Sequence, residues 1–337
     1  MAVGKPQISV ILPFSDAEHT LERALRSIER QTHRHFECIM VDNCAGEGSV
    51  GIARGKAARD ARFVLVSESQ RGVAHAFAAG FEHSCGSMIA RMDSDDVMHP
   101  RRLEFQQAFL ENYSDYGAVA GKVRYGGYYR KNTGLKQYIE WNNGVDTYPK
   151  ILLQRFVDAP IVNPSAMWRR EVGAGLGHYL AGDFPEDYEM WLRWLHHGVR
   201  ISKIPEVVLD WHDSGRRLTR THPAYSDEAF YRVKTRYLAR WLADNNPHHP
   251  GVAVWGASRI YRNRARLLED YGINITHYID IHRRRRLDKP LVFYRDLPRP
   301  GQLFVLVYVR QWQAKARIRQ FLESRGYIEG LHYLMVA

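Results

Sequence analysis

Cysteine is scarce in this chain: Cys38, Cys44 and Cys85 are its three copies in 337 residues. None forms a C-x-x-C pair and the number is odd, which argues against a zinc ribbon or a disulfide framework and for a reducing, cytoplasmic setting. Long apolar runs are missing too. No window approaches eighteen uninterrupted apolar residues, so no transmembrane helix is expected. The apolar run nearest the N-terminus, Ile8 to Leu12, stops at Pro13 after five residues, too short for the core of a secretory signal. Glycine (26) and proline (14) are ordinary in number, which excludes a collagen-like or mainly disordered chain.

What is present suits a folded, two-domain protein. Hydrophobic residues make up 45% and aromatics 12%, enough for real cores. The formal charge of +11 favours anionic partners such as nucleotide phosphates, nucleic acid or an acidic membrane surface. From the N-terminus, short β-type runs alternate with helical patterns. Ile8–Leu12, Phe36–Val41, Arg62–Val66 and Met88–Met92 read as strands. Thr20–Gln31, Ile52–Arg59, Val73–His83 and Arg101–Asn112 read as helices. This pitch predicts βαβ units around a mostly parallel sheet, in which ligands bind beyond the carboxyl ends of the strands.

Two acidic features fall at such ends. Asp42 follows the second strand, and Asp93, Asp95 and Asp96 crowd into RMDSDDVMHP after the fourth. Adjacent carboxylates repel, and a hard divalent cation compensates them through oxygen ligands while keeping positions for phosphates. The bland alternative is helix capping before Pro100. For Asp42 the alternative is a strand-end turn with Asn43.

The set ISVILPFSD, IMVDN and IARMDSDDVMHPRRLE resembles the family 2 inverting glycosyltransferases of the GT-A fold, from Ile8 to about Leu242, roughly 70% of the chain. That resemblance implies a nucleotide-diphospho-sugar transferase fold and an Mn²⁺ or Mg²⁺ cofactor. Pro13 and Phe14 would shape the loop beside the nucleotide, and Asp42 would accept a hydrogen bond from the base. Asp93 and Asp95 match the D-x-D pair, with Asp95, Asp96 and His212 on the metal side. AGDFPEDYEMWLRWLHHG resembles the family's E-D-x-x-[LM]-W-x-R segment and makes Asp187 the general base, with Glu186 and Asn163 facing the acceptor. The bland reading of Glu186 and Asp187 is a helix start after Pro185, and Trp191 and Trp194 read as core. In LDWHDSGRRLTRTHPAYS, Arg216, Arg217 and Arg220 would cradle the diphosphate, or form a solvated basic loop. The chain departs from the family pattern at Ala78, where Asn is common, and in NCAGEGSVG after Asp42. Arg71 and His75 are offered as replacement contacts.

Residues 113–145 read as strands and loops. Helices follow at Tyr148–Phe156, Pro185–His197 and Phe230–Leu242. The expected layout is a GT-A domain over 1–243, a linker over 244–251 (ADNNPHHPG), and a small Rossmann-like domain over 252–337. In VAVWGASRIYRNRA, Gly256 is followed by Ser258 and Tyr261 where G-x-G-x-x-G needs glycines, so dinucleotide binding is disfavoured although Asp280 stands about 24 residues on. The run Arg283–Arg286 suits acidic lipid headgroups at the inner membrane face or a lipid-linked phosphate, or is a solvated loop. Nucleic acid is not expected as a partner. The expectation is therefore a metal-dependent inverting transferase moving a sugar from a nucleoside diphosphate, UDP-linked, to a glycan or lipid-linked acceptor in surface polysaccharide synthesis. The competing reading is a non-catalytic nucleotide-sugar-binding or scaffold protein, with oligomer contacts through the C-terminal domain.

Overall fold

The computed structural model describes residues 6–126, 133–212, 222–283 and 287–337. It contains two compact units. The first comprises the described residues of Met1–Ile151, Pro160–Gly182 and Glu186–Thr221, and the second Leu152–Ala159, Asp183–Pro185 and His222–Ala337.

The first unit is built on an eight-stranded sheet. Its strands are β1 (Ile8–Phe14), β2 (Phe36–Asp42), β3 (Phe63–Ser67), β4 (Met88–Arg91), β5 (Val97–Met98), β6 (Tyr116–Tyr125), β7 (Met167–Arg169) and β8 (Arg200–Trp211), in the order β3-β2-β1-β4-β7-β6-β8-β5. Pairs β1·β2, β2·β3, β1·β4 and β6·β8 are parallel, whereas β7 is antiparallel to β4 and β6, and β5 to β8. β1 is apolar on both faces because helices cover it, as a central parallel strand requires. Pro13 falls past the last β1·β4 partner, Ile11 opposite Arg91, where the strand has lost one neighbour.

Between the early strands run α1 (Leu21–Glu29), α2 (Glu47–Arg59), α3 (Val73–His83) and α4 (Arg102–Asn112). α3 is Ala-rich because it lies very close to the sheet: a Cβ on Gly80 would sit 2.6 Å from Ile11 Cγ2 and 3.0 Å from Val41 Cγ2. The parallel register sets Phe14 opposite Asp42, so both end at the same edge.

Two expectations need correction. Part of the stretch read as strands and loops, Thr133–Gly144, is helical. The linker expected at 244–251 begins inside a helix, Asp227–Asn245, whose contacts place it in the second unit. The compact units therefore part at residue 221/222 rather than at 243, and residues 152–159 and 183–185 also belong to the second unit.

The second unit holds a five-stranded, all-parallel sheet of β9 (Gly251–Trp255), β10 (Asn274–Asp280), β11 (Leu291–Phe293), β12 (Val305–Val307) and β13 (Tyr333–Met335), in the order β11-β10-β9-β12-β13. After β9 comes the helix Arg259–Arg266, and Glu269–Tyr271 forms a separate 3₁₀ turn. Where a dinucleotide would approach, Gly256 has φ +118° and the Tyr261 ring stands 2.9 Å from the position of a Cβ on that glycine. Asp280, at the ribose-acid offset, instead accepts the backbone N–H groups of Ala257 (3.2 Å) and His282 (3.1 Å).

Candidate active site

The carboxyl edge of β1, β2 and β4 gathers most of the residues singled out by sequence. Asp42 closes β2, and its Oδ1 accepts the Ala45 N–H at 2.8 Å, which makes the strand-end turn. Asn43, 7% exposed, ties this end to the next loop. Its amide donates to the Glu68 and Gln70 carbonyls (3.2 and 2.8 Å) and its Oδ1 accepts the Gly72 N–H at 2.7 Å. Pro13 is half-buried, Phe14 packs in the core, and Arg71 is exposed at the entry to α3. β1 lies between β2 and β4, so the Asp42 end and the β4 end are separated by roughly 10 Å of sheet.

Beyond β4 the chain bends through Met92 into the acidic turn. Ligand oxygens of Asp93, Asp95 and Asp96 all lie within 4.8 Å of one another. The three residues are held differently. Arg91 Nη2 grips Asp93 Oδ1 at 2.6 Å, and Arg91 also donates to the Met92 carbonyl. Asp96 is fully buried, and its Oδ1 accepts the His212 backbone N–H at 2.7 Å. The Asp95 carbonyl accepts from Arg23 Nη2 at 2.6 Å. This donor set is all oxygen and anionic, the kind that a hard divalent cation takes. Among the described residues the cluster consists of these three aspartates, and His212 joins it through its main chain. The His212 ring has Nδ1 3.0 Å from the Asp210 carbonyl, so Nδ1 carries the proton and the lone pair sits on Nε2. Burial, then the charge of Arg23, lowers the His212 pKa from its ordinary value.

A buried cation that sequence reading missed underlies the turn. Arg102, 0% exposed, opens α4 and donates to the carbonyls of Pro164 (2.6 Å), Arg91 (2.9 Å) and Ala166 (3.0 Å), and to Gln106 Oε1 (2.9 Å). Burial pushes its pKa down to about 9, against the pull of Asp96, so it stays charged at neutral pH. Arg91 was missed as well. Burial opposes its charge, but the charge of Asp93 and the nearby Tyr179 and Glu186 raise its pKa above the usual value. The sequence signal was available: an arginine inside an apolar strand needs a partner, and Asp93 stands two residues on.

Asp187 lies in the first turn of α8 (Glu186–His196). Burial raises its pKa from the ordinary aspartate value to about 7. Glu186 and Asp93 add to the rise, and the Tyr188 N–H (2.6 Å) and Arg91 oppose it. Nearby, buried Tyr179 donates its hydroxyl to Asn163 Oδ1 at 2.9 Å, so the Asn163 side chain is engaged within the protein. α8 is anchored by Trp191 and Trp194, both 0% exposed and packed edge-on against each other and Trp168. Glu189 pairs with Arg193 at 3.0 Å, and Arg193 donates to the carbonyls of Gly177 (2.9 Å) and His178 (2.6 Å). Arg216, Arg217 and Arg220 lie outside the described residues, as do Arg284–Arg286.

Residues 9–173 match the family described as glycosyl transferase family 2. That match spans just under half of the chain, and the chain is similar to glycosyltransferases of that family. The amylovoran biosynthesis glycosyltransferase AmsE of Erwinia amylovora is 25% identical over 204 residues, covering 60% of this chain and 74% of AmsE. Among solved structures, TarS 1-349 of S. aureus in complex with UDP-GlcNAc is 16% identical, with a TM-score of 0.54, covering 79% of this chain and 71% of that one. The mannosyltransferase PcManGT of Pyrobaculum calidifontis, in complex with GDP-Man and Mn²⁺, is 21% identical with a TM-score of 0.50, covering 71% of this chain and 64% of that one. These likenesses establish the GT-A fold. Among the described residues, no helix is long and apolar enough to cross a membrane.

Proposed function

We propose that this glycosyltransferase transfers a sugar, with inversion, from a nucleoside diphosphate donor to a glycan or lipid-linked acceptor in surface polysaccharide synthesis, with Asp187 as general base. The observation that carries the reading is the Asp187 carboxyl, whose pKa is raised to about 7 and whose neighbours include the acidic D-x-D turn. A base must accept a hydroxyl proton near neutral pH, and a pKa near the working pH serves that step best.

A bound divalent cation would neutralise the diphosphate as it departs. The chain's own residues do the rest. Arg91 holds Asp93 in place, and Arg102 fixes the three carbonyls around the turn. The Asp42 carboxylate at the end of β2 would accept the N–H of a uracil ring, an acceptor-only group meeting a donor, which supports a UDP-linked donor. Glu186 keeps the Asp187 proton affinity high, so that Asp187 can take the acceptor's proton as its oxygen attacks the anomeric carbon. The AmsE name supports the polysaccharide setting, and the donors and Mn²⁺ in the TarS and PcManGT complexes support the donor class and cofactor.

The test is donor turnover by the full chain with UDP- and GDP-sugars, with and without Mn²⁺. Turnover should need the cation and fall at least about a hundredfold in Asp187→Asn, the lower end for loss of a general base. Donor binding, read by calorimetry, should survive. Wild-type turnover by Asp187→Asn would remove the base assignment.

A further inference from the structure

The second unit carries an open cavity of about 320 Å³ that the transfer chemistry does not use. That volume is at the lower end of the range that holds small ligands. Its lining combines two aromatic rings, Phe184 and Tyr271, with four charged side chains, Asp183, Arg232, Arg236 and Asp270. Arg232 and Arg236 stand one turn apart on the helix Asp227–Asn245. Asp270 and Tyr271 come from the 3₁₀ turn that leads into the amino end of β10. The cavity is therefore distinct from the crevice at the carboxyl end of β9, which Tyr261 occupies.

None of the four charged side chains makes an ion pair or a hydrogen bond among the described residues, although two arginines and two aspartates share one cavity. Tyr271 is 46% exposed. We propose that this cavity binds a sugar residue of the acceptor glycan, through stacking on Tyr271 and Phe184 and hydrogen bonds from its hydroxyls to the four charged groups. The proposal rests on the acceptor being a glycan, as in the function proposed above.

The chemistry selects this ligand class. Aromatic side chains offer an apolar face to the C–H side of a pyranose ring. Carboxylates accept hydroxyl protons, and guanidinium groups donate to hydroxyl oxygens. Two positive and two negative groups sum to zero, which disfavours a diphosphate and suits an uncharged polyhydroxyl ligand. The chain supplies the link to chemistry: three peptide bonds separate Phe184 from Asp187, so their Cα atoms are at most about 11 Å apart.

Saturation-transfer NMR on the full chain without nucleotide tests this, using the methyl glycosides of glucose, galactose, mannose and N-acetylglucosamine as probes. At least one should receive saturation from the wild type. Tyr271→Ala and Arg236→Gln, both at exposed positions and checked by thermal melting, should each weaken that binding about tenfold, the equivalent of one lost contact. Asp95→Asn should leave it unchanged. No transfer to any glycoside, undiminished binding in both variants, or an equal loss in Asp95→Asn would each overturn the proposal. Sugar binding that follows this pattern in a chain that turns over no donor would leave the cavity assigned and remove the transferase mechanism instead. Donor turnover without any glycoside binding would do the reverse.

Discussion

Asp187 meets two opposing demands. Its folded pKa of about 7 lies above the ordinary aspartate value, so between about pH 4 and 7 the folded state binds more protons than the unfolded one. Stability from this group is present at low pH and is lost as pH rises through 7, while the base role proposed for Asp187 needs the carboxylate that forms over the same rise. Two outcomes follow. The kcat profile should climb about tenfold per pH unit below 7 and level off above it. Asp187→Asn, which carries no charge, should raise the melting temperature at pH 8, by the equivalent of on the order of 1–2 kcal/mol, and leave it nearly unchanged at pH 4. A flat kcat profile, or a variant less stable at pH 8, would contradict the assignment. Arg102 is the opposite case, a group whose removal weakens the fold. Arg102→Met would leave the Pro164, Arg91 and Ala166 carbonyls without their donor and should cost about 3–5 kcal/mol in a urea titration. Arg102→Lys should not recover it, because an ammonium lacks the planar fork that reaches carbonyls on two sides.

α3 shows how a local pattern can state a packing distance. Its alanines and Gly80 read in sequence as helix propensity, but the structure gives them a steric reason: Ile11 and Val41 leave no room for a larger residue at Gly80. Gly80→Ala should therefore destabilise the chain by about 1–3 kcal/mol by urea midpoint, despite alanine's better helix propensity. Stabilisation would mean that the helix can back away from the sheet. The early strands and helices were legible because each is an apolar run or a 3.6-residue stripe bounded by turn residues. The Asp93–Asp96 turn was legible because three carboxylates in four residues are costly without a purpose. The helix Thr133–Gly144 was not, because its flanks are rich in Gly, Tyr and Asn, which speak for turns. Arg102 was passed over because its burial is decided by partners far away in sequence, Pro164 and Ala166. β5 and β7, two and three residues long, are too short for any period to show.

The division of the chain was the least legible feature, since composition marks a linker at 244–251 while the packing follows other boundaries. The helix Asp227–Asn245 sends Lys234 into the second unit, where it is 4% exposed and its Nζ donates to the Val336 carbonyl at 3.0 Å and to that of Val157 at 3.4 Å. Asp158 beside it has its carboxyl pKa raised by burial, against the positive charges of Lys234 and Lys315. Gln154 donates to Glu329 Oε1 at 3.1 Å, and Arg319 holds the other oxygen of that carboxylate at 3.1 Å. Segment 152–159 is thus part of the second unit's core although it lies well upstream of the main stretch, which begins at His222. A cut after residue 243 would strand this segment and the helix without the sheet they pack on, leaving Lys234 and Asp158 with apolar surface newly open to water. Fragment 1–243 should accordingly be aggregated or protease-sensitive, and fragment 252–337 should fail to melt cooperatively, whereas the intact chain resists the same protease. Size-exclusion chromatography with limited proteolysis checks both. Two monomeric, protease-resistant fragments would mean that the sequence boundary at 244–251 is a true domain border after all.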